Sequence, residues 1–80
     1  MSNVSIQNDI QKYRETLESL RDEIKVRVHL GTMEVKHHWN ELEPQLVKAE
    51  TAAKGAATEA TRSLLTEVIR KLIALRARLN

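Results

Sequence analysis

The side chains best suited to chemistry in this chain are three histidines, His29, His37 and His38, and the carboxylates spaced around them. Glu34-Val35-Lys36-His37 forms an E-x-x-H string. On a helix its two ends share a face, and bundles hold iron when two such strings and further glutamates converge. This chain has one copy, with Lys36 and His38 beside it. The apolar seam described below runs through Val35 and Trp39, which places Glu34 and His37 at its edge. Glu34 with His38, and His37 with Glu41, also stand at the i, i+4 spacing of ordinary helix-surface pairs. A solvated face is therefore the preferred reading, with Glu34 and His37 the only metal candidates and no cofactor expected. His29 is expected to pack or hydrogen-bond close to Gly31.

Nucleophile arrangements are absent. The chain has no Cys, no G-x-S-x-G elbow, no phosphate-cradling glycine loop and no H-E-x-x-H, and its hydroxyls are scattered Ser and Thr. An enzyme is not expected. Tyr13 and Trp39 are the only aromatic residues, and large rings of this kind anchor helix contacts more often than they stack on ligands.

Basic residues crowd the end of the chain, where Arg70, Lys71, Arg76 and Arg78 flank apolar positions. Cations interact well with the negative end of a helix dipole, and this accounts for most of the excess. The same pattern suits an amphipathic helix on an anionic surface, so binding of nucleic acid or membrane through these four residues stands as the alternative function. It is disfavoured, because the net charge is only +2 and stacking aromatics are lacking.

An 80-residue chain is a single domain, here taken as residues 1–80. Leu, Ile and Val make up about a quarter of it, too many for a disordered segment, and Ala, Glu, Lys, Leu and Arg make up half, which marks long helices. The polar amino-terminal stretch has no apolar core of a signal peptide, and 18 apolar residues never run together. A cytoplasmic location is the expectation.

Periodicity supplies the fold class. Ile6, Ile10, Tyr13, Leu17, Leu20 and Ile24 follow one another at alternating spacings of 4 and 3, a heptad seam. Ser5 can cap its start, and Glu23 with Arg27 forms a surface pair. The seam continues through Val28, Gly31, Val35, Trp39, Leu42 and Leu46 into a run of alanines, Ala49, Ala53, Ala56 and Ala60. From Leu64 the apolar face broadens. Leu65, Val68, Ile69, Leu72, Leu75 and Leu79 belong to an arc that wants at least two helical neighbours.

Three places could reverse such a chain: Gly31-Thr32, residues 40–44 before and at Pro44, and Gly55 to Thr58. Breaking at both glycines gives three helices but leaves Pro44 inside the second, at a cost of about 3 kcal/mol. A turn at about 40–44 gives helices at about 4–40 and 43–79, with Gly31 and Gly55 at their closest approach. The expected fold is accordingly all-α, a long antiparallel hairpin that dimerises into a four-helix bundle. Its interface would consist of Ile6, Ile10, Tyr13, Leu17, Leu20, Ile24, Trp39, Leu65, Val68, Ile69, Leu72, Leu75 and Leu79.

The run from Lys25 to Lys36, Lys-Val-Arg-Val-His-Leu-Gly-Thr-Met-Glu-Val-Lys, followed by Trp39 and Leu42-Glu43-Pro44, resembles a pattern in short bacterial coiled-coil proteins, some labelled stress-associated. That resemblance covers about a quarter of the chain and implies a bacterial, helical, non-enzymatic protein. In layout the chain is also similar to the small secreted W-x-G helical hairpins, but Trp39-Asn40-Glu41 lacks the glycine. A homo-oligomeric interaction or structural protein, with a further protein partner possible, is the function expected.

Overall fold

A computed structural model describes residues 3–55 and 57–79, with side chains from Ile6 onward. The chain forms three helices, α1 (Asn3–His29), α2 (Met33–Gly55) and α3 (Glu59–Ala77). The all-α class is as expected; the single reversal at 40–44 is not. The chain turns instead after His29 and after Gly55, close to both glycines, and helix α2 runs straight through Pro44.

The correction has an energetic reason. Trp39, Leu42, Leu46 and Ala49 lie on both sides of Pro44 and are all buried. An unbroken helix holds these four on one stripe. Burying a large apolar side chain contributes about 1.5–3 kcal/mol, so three large residues and an alanine outweigh the roughly 3 kcal/mol that an interior proline costs. Pro44 itself is exposed, which leaves its ring out of the packing.

Threonine hydroxyls begin the second and third helices. Thr32 Oγ1 accepts from the Val35 backbone N–H at 3.3 Å, and Thr58 Oγ1 accepts from the Thr61 N–H at 3.2 Å. Each satisfies an N–H that has no partner within the helix. Gly31 lies in the first turn, where an added Cβ would sit 3.3 Å from both the Val28 carbonyl oxygen and Val35 Cγ1. Gly55 ends α2 with open space around it, so the two glycines do not face each other. Ser5 falls inside α1, and its side chain and Ala56 lie outside those described.

Side-chain pairs between helices show the relative directions. Arg62 reaches Asp9 and Arg76 reaches Glu23, so α1 and α3 ascend together. Lys71 bonds Gln45 and Arg78 meets His38, so α2 descends beside α3. The bundle measures 45 × 19 × 15 Å. Helix α1 packs more extensively on α3 than on α2, which leaves a shallower seam between α1 and α2.

One core joins the three helices. Ile10, Leu17, Leu20, Ile24 and Val28 meet Trp39, Leu42, Leu46 and Ala49 from α2, and Leu65, Val68, Leu72 and Leu75 from α3. Ile6, Tyr13, Ile69 and Leu79 pack around its rim. Every residue assigned from sequence to an interface between chains is thus used within one chain. The broad face of α3 does take two neighbours, and they are α1 and α2 of the same molecule. With the hairpin gone, the argument that a second copy must complete the core goes with it.

Candidate functional site

The E-x-x-H string does not converge. His37 Nε2 lies 3.2 Å from Glu41 Oε1, and His38 Nε2 lies 3.9 Å from Glu34 Oε1, so each residue turns to its i+4 or i−4 neighbour. Glu34 and His37 are largely exposed, and no cluster of three metal-ligating side chains occurs among the described residues. His29, expected to be packed, is exposed.

The four cations near the end of α3 part company as well. Arg76 turns towards α1 and lies 3.8 Å from Glu23, whereas Lys71 and Arg78 turn towards α2. Arg70 lies by Tyr13 and Arg62 on another flank. A straight amphipathic helix would present them together; a helix wedged between two others distributes them.

Lys71 and Arg78 border a cavity of about 260 Å³ with His38, Glu41 and Gln45, floored by Leu42 and Leu75. Its polar groups already satisfy one another. Lys71 Nζ donates to Gln45 Oε1 at 2.7 Å, and Arg78 Nη1 lies 3.2 Å from His38 Nε2. Elsewhere Arg21 bridges α1 to Glu50 of α2. Partial burial works against the Arg21 charge, yet Glu50 and Asp22 more than compensate and hold its proton more firmly than usual. The Arg62 pKa is likewise raised, by Glu59 first and then Asp9. These are structural pairs that tie helices together, and no buried side-chain polar atom among the described residues lacks a partner.

A different feature stands out at the α1–α2 turn. Leu30 is 82% exposed and Met33 is 79% exposed, the highest values among the large apolar side chains. They flank Gly31-Thr32 at the tip of the bundle. Val26, also exposed, joins Leu30, Lys25, Lys36 and Trp39 around a cavity of about 650 Å³ that opens between α1 and α2.

The tip is cationic. Within residues 25–38 and 76–79, Lys25, Arg27, Lys36, Arg76 and Arg78 stand against the single carboxylate Glu34. Glu23, one turn back, meets both Arg27 and Arg76. Lys25, Lys36 and Arg78 have no carboxylate partner among the described residues. Arg76 and Arg78 stand near the same end of the bundle, Arg76 beside Glu23 of α1 and Arg78 beside His38 of α2. Leu30 and Met33 were not among the residues singled out from sequence. The signal was present: both fall off the seam through Val28, Gly31 and Val35, so they are apolar with no place in the core.

Comparison with protein-family models, with curated proteins and with solved structures gives no match to this chain.

Proposed function

We propose that this chain is a non-enzymatic helical interaction module that works by binding through the tip at the α1–α2 turn. The exposure of Leu30 and Met33 carries the reading. Singly scattered apolar residues on a surface need no explanation, but these two flank one turn, and Val26 lines the same cavity as Leu30. They sit on a bundle whose core is complete without them, so they are free to serve a contact outside the molecule. The histidines near the tip, His37 and His38, pair with Glu41 and Glu34 as ordinary helix-surface partners, which suits a binding role more than a catalytic one.

The patch combines apolar side chains with nearby cations, so it suits an anionic apolar dye. Titration with anilinonaphthalene sulfonate is expected to enhance the dye's fluorescence on the native protein. The double variant Leu30→Ser, Met33→Ser is expected to abolish that enhancement while keeping the melting temperature within about 4 °C of the parent, as for exposed positions that lack structural partners. Enhancement that survives in the variant, or none with the native protein, defeats the reading.

A further inference from the structure

We infer that the surface met by this tip is a lipid bilayer bearing anionic headgroups, with Leu30 and Met33 entering the boundary between headgroups and acyl chains. The inference rests on the reading of the tip as the binding surface and names its partner.

Shape comes first. The patch lies on a chain reversal at the end of a rod 45 Å long, beside the cavity between α1 and α2, and a protruding reversal enters a soft, flat medium without needing a complementary groove in its partner. Side-chain type comes second. The exposed residues are aliphatic or thioether, Leu30, Met33 and Val26, with no exposed ring on which a base could stack. Charge comes third. Arg27, Arg76 and Arg78 lie where α1 and α3 end, so helix dipoles explain their presence. Dipoles do not explain Lys36. It occupies the first turn of α2, at the positive end of that helix, where a cation is unfavourable. Lys36 and Lys25 border the apolar patch and lack carboxylate partners among the described residues. Lipid phosphates would supply those partners at the depth where Leu30 and Met33 leave water. No helix among the described residues is long and apolar enough to cross a membrane, so the tip would touch the surface and not span it.

The chain contains no cysteine, so Met33→Cys gives a unique site for a nitrobenzoxadiazole label on the full-length protein. Vesicles of equal parts phosphatidylcholine and phosphatidylglycerol are expected to shift its emission to the blue and brighten it, while pure phosphatidylcholine vesicles and polyuridylic acid leave it unchanged. Replacing Lys25 and Lys36 with glutamine is expected to weaken the binding to anionic vesicles about 25-fold, at about fivefold per cation. Thermal melts of each variant check that the bundle is intact. Absence of binding to anionic vesicles, binding without the blue shift, or equal binding by the glutamine variant overturns the inference. Binding to polyuridylic acid in place of vesicles overturns it too and makes nucleic acid the partner. If the dye still binds the tip when vesicles do not, the lipid inference fails alone; if the dye also fails, the interaction reading fails with it.

Discussion

At the α1–α2 turn, Thr32 caps the second helix at 3.3 Å and the chain leaves Leu30 and Met33 in water; at the α2–α3 turn, Thr58 caps the third helix at 3.2 Å and the neighbouring apolar residue is Ala57, packed against the core. Both turns use the same hydroxyl device, yet their glycines differ. Gly31 is hemmed in by Val28 and Val35, whereas Gly55 has open space. One turn is sterically tight and apolar outside; the other is roomy and finished with small residues. The difference separates two jobs of a helix connection. Both close the bundle, and only the first carries side chains that closure does not use.

The largest expected effect tests what the two ends share. Leu72 is fully buried in α3, between α1 and α2. Leu72→Asp places a carboxylate where no cation or donor awaits it, so it loses apolar burial and gains an uncompensated charge. The expected cost is at least 4 kcal/mol, most or all of the stability of a chain this size. Circular dichroism with urea titration should show an unfolded or barely folded variant. A variant with near-parental stability would mean that the three helices do not share one core, and the comparison between its two ends would lose its basis.

Much of this core was legible in the 3–4 spacing of the apolar residues. Ile10, Leu17, Leu20 and Ile24 in α1, and Leu65, Val68, Leu72 and Leu75 in α3, are buried as their periodicity requires. The place of reversal was not legible, because Pro44 and the two glycines are competing punctuation and local propensity cannot weigh them. Burial on both sides of Pro44 decided the matter, and that is a tertiary term. The place of the turn decides the rest: with two helices the face from Leu64 to Leu79 lacks a neighbour and needs a second copy, whereas with three it has α1 and α2. Thr32 and Thr58, each placed to cap a helix at its third residue, were the local sign of two turns. The tip was obscured for a related reason. A seam drawn as continuous through Gly31 treats Leu30 and Met33 as the polar side of one helix, whereas they flank a break between two.

Glycine replacement sharpens the contrast between the turns. Gly31→Ala adds a methyl 3.3 Å from the Val28 carbonyl oxygen and from Val35 Cγ1, so a backbone atom and a side chain packed against the core must each give by a few tenths of an ångström. A loss of about 1–2 kcal/mol is expected. Gly55→Ala meets nothing within 4 Å and its φ is not positive, so the better helix propensity of alanine should stabilise by about 0.5–1 kcal/mol. Opposite signs in the two urea midpoints support the distinction. Equal signs would remove it.

The caps give the smallest and most closely matched test. Thr32→Ala removes the acceptor for the Val35 N–H, an exposed bond at 3.3 Å that water can replace, and about 0.5 kcal/mol should be lost. Thr58→Ala removes more, because Thr58 Oγ1 accepts from the Thr61 N–H and also lies 3.1 Å from Thr61 Oγ1. Thr61 is buried at 5% exposure, so deleting Thr58 Oγ1 strands a hydroxyl as well as an amide, and about 1–2 kcal/mol should be lost. The two variants, compared by urea unfolding at the same pH, should rank Thr58→Ala as the more damaging. The reverse order would place the better-sealed helix start at the tip, and the contrast between a roomy structural turn and an exposed binding turn would have to be redrawn with Thr32 as part of the tip's rigidity.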